Sequence, residues 1–336
     1  MIPAGILNSF LFRRRPRALL LLGAFFLLTT ITTPGPAPRL GSPMIATLTA
    51  TPVRLNEGDA SARRIGPLTF RRGWALSSPN PRFGGLSAMH VEGGRVLAIS
   101  DDGYLFQFAL PGAGPSQAAI TPLRAGPGDR DSKFNRDTEA MLVEGDRVWL
   151  AYERHNMIWR HRRPGWSAEA AARPPLMRRW GRNSGAEAMT RLADGRVLVF
   201  AEGGGGAFSP VVMFDGDPAD SATRAVGLRI RRLPGFRVTD VDLLPDGRLL
   251  ILSRQFDWMT GFSAKLAIAD ANHLREGATI EPREIAHFAP PLTTDNFEAL
   301  SVAREGGRTI VRIASDDNFL RLQRTLLLEF ELSGGR

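Results

Sequence analysis

A short unit returns five times along this chain. Each copy has an acidic or small polar residue, an apolar stretch, a Gly-containing turn that ends in arginine, and then a β-rich run. The turn arginines lie roughly 50 to 60 residues apart and are Arg95, Arg147, Arg196, Arg248 and Arg308. A repeat period in this range is typical of proteins built from stacked or circularly arranged modules.

The run after each turn is short, apolar and rich in branched or aromatic residues, which predicts a β-strand. The turns are Asp-Gly, Gly-Gly or Gly-Asp. The first two favour tight hairpins because the tight hairpin turn needs residues with positive φ. Each unit therefore opens with a hairpin and leaves room for two more strands, the size of a propeller blade. We predict an all-β fold, a β-propeller. Residues 46–80 and the C-terminal strand 325–332 favour a sixth blade, with five blades as the alternative.

The composition is basic and lacks cysteine. The net charge is +9 and the sequence pI is about 11.1. The basic residues are nearly all arginines scattered over turns, with lysine only at Lys133 and Lys265, so we expect no nucleic-acid partner. Because there is no cysteine, disulfides, thiolate metal sites and a thiol nucleophile are excluded.

The N-terminus has the pattern of a secretory signal. Basic residues at 13–17 precede a mostly apolar run at 18–31, which is short for a membrane span, and small residues follow. We expect a signal-peptide helix with a linker over residues 1–38, a propeller domain over 44–336, and an exported, periplasmic protein. An uncleaved signal anchor is the alternative, and the only membrane association that we expect.

The hairpins sort the acidic residues by face. The start of the first strand and the end of the second lie on one side of the ring, and the turn arginines lie on the other. One face should therefore gather about ten carboxylates near the central channel. The residues before the first strands are Glu139, Glu187, Asp240 and Glu298; those at the ends of the second strands are Asp101, Asp102, Glu153, Glu202, Arg254, Asp316 and Asp317.

Clustered carboxylates raise one another's pKa values and suit Ca²⁺ or Mg²⁺, which could hold a substrate oxygen and polarise a water. We assign catalytic roles, holding metal or water, to Glu139, Glu187, Asp240 and Glu298, and an acid–base role to His155. Metal ligation is assigned to Asp101, Asp102, Glu153, Glu202, Asp316 and Asp317. Arg154 and Arg254 would bind an anionic substrate. For any single carboxylate, a structural bond to a neighbouring blade is the alternative.

Several segments resemble the bacterial phytase-like family, whose label is esterase-like activity of phytase. They are residues 83–87, 99–102, 244–252, 295–300, 313–319 and 323–327. The resemblance covers about residues 65 to 332. It implies a β-propeller and the hydrolysis of a phosphoester or ester.

The leading interpretation is an exported, monomeric hydrolase that acts on a small anionic ester with the help of a divalent cation, calcium by preference. One alternative is a non-catalytic envelope propeller that binds a ligand or protein on the same face. Another is a lactonase-like metal hydrolase, which Asn156, Asn296 and Asn318 keep open because such enzymes hold Ca²⁺ with carboxylates and asparagine.

Overall fold

Strands make up the regular structure of this chain, apart from two single-turn 3-10 helices at Glu153–His155 and Pro175–Met177 in the described part. The computed structural model describes residues 43–112, 116–129, 135–203 and 206–334. The expected signal segment and linker, residues 1–38, lie outside these ranges. Among the described residues, no helix has the length and apolar character needed to cross a membrane.

Three strands precede the first repeat: β1 (Met44–Pro52), β2 (Arg64–Ile65) and β3 (Leu68–Ser77). Each repeat then forms an antiparallel sheet, which we call a blade. Blade 1 contains β4 (Leu86–Glu92), β5 (Arg95–Ser100), β6 (Tyr104–Ala109) and β7 (Ser116–Pro122). Blade 2 contains β8 (Thr138–Glu144), β9 (Arg147–Tyr152), β10 (Met157–Arg162) and β11 (Ser167–Ala172).

The remaining repeats continue the pattern. Blade 3 contains β12 (Ala186–Arg191), β13 (Val197–Ala201), β14 (Phe208–Phe214) and β15 (Ala225–Arg231). Blade 4 contains β16 (Arg237–Leu243), β17 (Leu249–Asp257), β18 (Gly261–Ala269) and β20 (Arg283–Phe288), while the intervening β19 (Thr279–Ile280) pairs in parallel with β15. Blade 5 begins with β21 (Phe297–Glu305), β22 (Arg308–Ser315) and β23 (Thr325–Leu332).

The ends of the described chain close the ring. Blade 5 has only three strands of its own, and β3 supplies the fourth by pairing with β23. Strand β1 pairs with β3 on one side and with β7 of blade 1 on the other. The inner strands β4, β8, β12, β16 and β21 each contact the next, and β21 contacts β4. The predicted β-propeller is confirmed.

The sixth blade that we expected does not form a separate sheet in the described residues. Of the segments assigned to it, residues 46–80 and 325–332, the strands β2, β3 and β23 belong to blade 5, whereas β1 joins blade 5 to blade 1. The physical reason is that the last repeat has three strands, so the edge of β23 would stay unpaired. Strand β3 pairs with that edge. The sharing between the two termini was expected, but it completes the fifth blade.

The core lies between the blades. Five clusters of buried apolar side chains occur, and each draws on two neighbouring blades. Strand β13 shows how a period of two produces this: Val197 and Val199 pack toward blade 2, whereas Leu198 and Phe200 pack toward blade 4. Both faces of a blade are buried, so its strands read as continuous apolar runs.

The turn between the first two strands contains a glycine with positive φ in all five repeats, and the two Asp-Gly turns show why. Gly195 and Gly247 have φ values of +89° and +84°, a region that favours glycine. The preceding aspartate caps each turn: Asp194 and Asp246 accept hydrogen bonds from the backbone N–H two residues later. The Asp-Gly signal therefore predicted these hairpins for a sound physical reason.

Side chains join the inner strands of neighbouring blades. Asp240 on β16 accepts hydrogen bonds from the backbone N–H of Val241 at 2.8 Å and of Leu300 on β21 at 2.7 Å. Asp242 accepts from Val302 at 2.7 Å. Ser301 on β21 accepts a bond from the N–H of Val91 on β4 at 3.0 Å. These contacts satisfy backbone groups on inner strands of neighbouring blades.

We expect Asp240→Ala to lower the free energy of unfolding by about 1–3 kcal/mol, because the N–H groups of Val241 and Leu300 would lose their buried acceptor. Urea denaturation is the measurement. Glu276→Ala, at an exposed site, should change stability by less than about 0.5 kcal/mol. Equal stability of the Asp240 and Glu276 variants would contradict the bridging role.

Candidate functional site

Each inner strand carries a β-bulge at its start. The pairing register between the first and second strands shifts at the same place in all five blades. A bulge leaves one residue out of the ladder and bends the strand. The residues left out are Ser87, Glu139, Glu187, Thr239 and Glu298. Three of the five equivalent positions near the channel are therefore glutamates.

A second set of equivalent positions follows the second strand of each blade. The backbone N–H of Asp101, Glu153, Glu202 and Asp316 donates to the carbonyl two residues before the bulge, on Gly85, Asp137, Gly185 and Asn296 respectively, at 2.9–3.1 Å. In blade 4 the matching pair is Arg254 opposite Arg237. The predicted alignment of Asp101, Glu153, Glu202 and Arg254 is thus reproduced by one repeated backbone bond or pairing.

The two sets of positions meet in one small cavity of about 180 Å³. Carboxylates from four blades line it, together with Arg254 from blade 4 and two asparagines from connecting loops, Asn183 and Asn318. The carboxylates are Asp101, Glu139, Glu153, Glu187, Glu202, Glu298 and Asp316. The convergence that hairpin topology predicted is present.

Burial dominates the electrostatics of this cavity. Burial, reinforced by the charges of the other carboxylates, raises the pKa of Glu139, Glu187 and Asp316 well above the ordinary range. Burial raises the pKa of Glu153 to about 7, although the N–H of Gly185, which donates to it at 3.0 Å, acts in the opposite direction. Carboxyl groups here therefore hold protons at a pH where exposed ones would not.

Contacts with polar and cationic groups offset part of the unfavourable effect that burial has on these carboxylates. The Nε of Arg254 lies 3.0 Å from Glu298, and its Nη2 lies 3.8 Å from Glu202. Burial lowers the pKa of Arg254, but the surrounding glutamates outweigh it, so the pKa is raised overall. Arg237 pairs with Glu202 at 2.9 Å, and the Asn296 amide donates to Glu298 at 2.8 Å. Arg254 is therefore held against carboxylates, whereas we had expected it to bind substrate.

Three carboxylates are close enough to share one ion. Oxygen atoms of Asp137, Glu139 and Glu153 all lie within 4.8 Å of one another. Asp137 also hydrogen-bonds Glu139, and Glu153 hydrogen-bonds Glu187, so some of these oxygens share protons. An all-oxygen set at this spacing fits a hard cation such as Ca²⁺ or Mg²⁺. The buried Oδ1 of Asn296, beside Glu298, has no hydrogen-bond partner among the described residues.

Asp240 does not line this cavity, and we had aligned it one residue out of register. Thr239 occupies the bulge of blade 4, so Asp240 matches the alanines that follow Glu139, Glu187 and Glu298. Both Asp240 carboxylate oxygens accept backbone N–H groups. The structure therefore gives it the structural role that sequence analysis listed as the alternative.

Asp102 and Asp317 make contacts outside the acidic cavity, Asp102 within its own loop and Asp317 also with the start of blade 1. Asp102 accepts a hydrogen bond from the Ser100 hydroxyl at 2.6 Å. Asp317 accepts bonds from the N–H of Gly85 at 2.9 Å and the hydroxyl of Thr325 at 2.8 Å. Neither belongs to the described residues that line the acidic cavity. Their neighbours Asp101 and Asp316 do, because those two directly follow the second strands.

Arg154 and His155 line a different cavity. Arg154 donates from Nε to Asp137 at 2.8 Å, and His155 lies 2.9 Å from the Asn135 amide oxygen. Burial, followed by the positive charges of Arg173 and Arg182, lowers the pKa of His155. The ring is thus neutral near pH 7 and lies outside the set of groups lining the acidic cavity, where we had expected an acid or base.

Sequence analysis missed Asp137 and Asn183. Asp137 stands two residues before Glu139, and the repeated backbone bond makes that position equivalent to Gly85, Gly185 and Asn296. Aligning the repeats at this offset would have singled it out. Asn183 lies in the loop between β11 and β12, where the repeat offers no signal.

The chain belongs to the phytase-like family, whose model describes an esterase-like activity of phytase and matches residues 81–319. No curated protein matches the chain. Among solved structures it is similar to glutaminyl cyclase from Myxococcus xanthus, at 12% identity and a TM-score of 0.46, over 79% of this chain and 96% of that chain. It is also similar to the Cps50 (Swd1) β-propeller domain from Myceliophteria thermophila, at 8% identity and a TM-score of 0.37, over 78% and 77%.

In the absence of a cation, we expect the free energy of unfolding to fall as pH rises from about 4.5 to about 8. The pKa of Glu153 is about 7 in the folded protein against an ordinary value of 4.5, and Glu139 and Glu187 shift in the same direction. Across this window the unfolded chain binds fewer protons than the folded one, so stability is lost as pH rises. Urea denaturation in chelator at several pH values is the measurement.

Glu187→Gln should flatten that slope, whereas Glu276→Gln, at an exposed site, should leave it unchanged. Stability that increases with pH over the same range in the unsubstituted protein would show that these carboxyl groups are ionised when buried, contrary to the site as described.

Proposed function

We propose that this protein is a hydrolase of phosphoesters or related anionic esters, assisted by a divalent cation in the acidic cavity. The observation that carries the proposal is the convergence of bulge glutamates and strand-end carboxylates from four blades on one cavity. Buried carboxyl groups with raised pKa values destabilise a fold unless something compensates, and they cluster at functional sites. Membership of the phytase-like family supports ester hydrolysis.

Asp137, Glu139 and Glu153 are the residues that we propose to hold the cation, with Ca²⁺ as the preferred ion because the ligands are all oxygens. A bound dication would polarise a substrate oxygen and lower the pKa of a water. Asp101, Glu202 and Asp316 line the same cavity and add negative charge that favours a cation. Of the expected ligands, this set keeps Glu153 and gains Asp137 and Glu139. Asp101, Glu202 and Asp316 now add charge only, and Asp102 and Asp317 are omitted.

Glu187 and Glu298 are the proposed acid–base pair. Hydrolysis requires one group to take a proton from water as the water oxygen bonds to phosphorus or to the acyl carbon. It also requires a proton for the leaving oxygen as its bond breaks. Both glutamates have raised pKa values, which brings proton exchange closer to neutral pH. Arg254 keeps Glu298 oriented, and Arg154 is the proposed ligand of the substrate anion.

A lactonase-like reaction remains the second candidate. The side-chain Oδ1 of Asn296 is buried without a hydrogen-bond partner among the described residues, and amide oxygens are ligands for Ca²⁺. The non-catalytic binding propeller is the third, and it would use the same face without turnover. We propose export to the periplasm, a monomeric state and a small anionic ester as substrate on the basis of the sequence.

Added Ca²⁺ should raise the melting temperature, and the shift should be larger near pH 8 than near pH 5.5. The reason is that the cation competes with the protons held by Glu139 and Glu153, so binding releases protons. Thermal melts and calorimetry in buffers of different ionisation enthalpy are the measurements. Glu139→Gln should reduce the shift and Glu276→Gln should not. If neither Ca²⁺ nor Mg²⁺ changes the melting temperature at any pH, the proposed cation site is wrong.

Turnover of at least one class of phosphomonoester, phosphodiester, carboxylic ester or lactone should be stimulated by Ca²⁺ and abolished by chelator. Glu187→Gln should lower kcat by a factor of about 10²–10⁴, as expected for the loss of a general acid or base. Glu276→Gln is the control. The substrate class that responds decides between phosphoester and lactone cleavage. If no class shows chelator-sensitive turnover, the hydrolase proposal fails and the binding propeller is favoured.

A further inference from the structure

A second cavity, with a positive lining, lies beside the acidic one. It encloses about 560 Å³ between the 3-10 turn after β9 and the loop from β11 to β12, and Asn135 before β8 also lines it. We call it the basic basin. It is lined by Arg154, Arg173, Arg178 and Arg182, together with His155 and Trp180.

The four guanidinium groups of the basin differ in their partners. Arg154 donates to Asp137, one of the three proposed cation ligands, at 2.8 Å. For Arg173, Arg178 and Arg182, the structure shows no ion pair with a carboxylate anywhere in the described ranges. Elsewhere on the surface, many arginines do pair, as Arg224 does with Asp215 and Arg231 with Glu281. Three of the four guanidinium groups of the basin thus lack a carboxylate partner among the described residues.

We propose that the basic basin binds a tetrahedral oxyanion, either inorganic phosphate or the phosphate group of a small molecule. Guanidinium groups match phosphate oxygens through paired N–H donors, and several around one cavity give both charge and geometry. The volume exceeds that of a single phosphate and falls in the range of small-molecule sites. Trp180 offers an apolar surface to the part of such a molecule that carries the phosphate.

The border between the basin and the acidic cavity couples the two. Asp137 belongs to the proposed cation ligands and Arg154 belongs to the basin, and one ion pair joins them. A cation at Asp137 weakens the hold of that carboxylate on Arg154, which frees guanidinium donors for an anion. An anion at Arg154 likewise releases Asp137 for the cation. Each ligand should therefore increase the affinity of the other; this second step rests on the proposed cation site, whereas the basin itself does not.

Calorimetric titration of the full chain with inorganic phosphate in the presence of chelator tests the basin. The basin variant is Arg173→Gln with Arg178→Gln and Arg182→Gln. The charge-matched control is Arg64→Gln with Arg95→Gln and Arg304→Gln, three exposed arginines for which the described residues show no ion pair. We expect one binding event, weakened roughly tenfold or more in the basin variant because charge-assisted bonds are lost. The control should stay within about twofold.

Equal weakening in both triple variants would mean that phosphate responds only to net charge, and unchanged affinity in the basin variant would place phosphate elsewhere; either result overturns the proposal. Thermal melts establish that each variant is folded, and Arg182→Gln alone replaces the triple variant if that one is unfolded. Titration with glycerol phosphate distinguishes the two sources of the anion, since tighter binding than inorganic phosphate indicates a phosphorylated small molecule.

Repeating the phosphate titration with Ca²⁺ tests the coupling. The affinity of the unsubstituted protein for phosphate should rise several-fold, and Asp137→Asn should abolish the rise. A rise of equal size in Asp137→Asn would reject the Asp137–Arg154 link. None of these measurements depends on turnover. If the protein binds phosphate in the basin but hydrolyses no substrate, the hydrolase proposal is wrong and the basin proposal stands.

Discussion

The β-bulge at the start of each inner strand is the constraint on which the site depends. It recurs in all five blades and removes one residue from the ladder at the same height in the ring. In three blades the bulge residue is a glutamate that lines the acidic cavity, whereas the hydroxyls of Ser87 and Thr239 donate to backbone carbonyls of the next blade. Serine, glutamate or threonine at this position changes the chemistry without changing the blade. The fold thus offers five equivalent positions, and the sequence makes three of them acidic.

The acidic cavity is costly for the folded protein. Seven carboxylates line a space of about 180 Å³ with one arginine among them. Burial is the main reason that the pKa values of Glu139, Glu187 and Asp316 are raised. The site therefore solvates negative charge poorly. The five apolar clusters between the blades hold the inner strands in place despite this repulsion. The divalent cation proposed above would supply the positive charge that this site lacks.

The two cavities form one electrostatic system. Negative charge is concentrated at the axis and positive charge in the basic basin, and the Asp137–Arg154 ion pair lies between them. Such an arrangement suits a cation and an anion bound side by side, because the acidic cavity attracts the cation and the basic basin attracts the anion. Three of the four basin arginines, Arg173, Arg178 and Arg182, come from the single loop between β11 and β12, and folding brings Arg154 from the turn after β9 beside them.

The sequence by itself determined the class of fold and the side of the ring that carries the carboxylates. Repeat spacing, Asp-Gly turns and apolar runs follow from local backbone preferences, and hairpin geometry fixes which strand ends share a face. Tertiary structure alone decided the rest. It paired β3 with β23 in blade 5, placed Thr239 and not Asp240 at the position equivalent to Glu139, and brought Asp137 within reach of Glu139 and Glu153. A bulge adds one residue to a strand, and a single-residue shift exchanges the residue facing the channel for one facing a neighbouring blade, which no period in the sequence reveals.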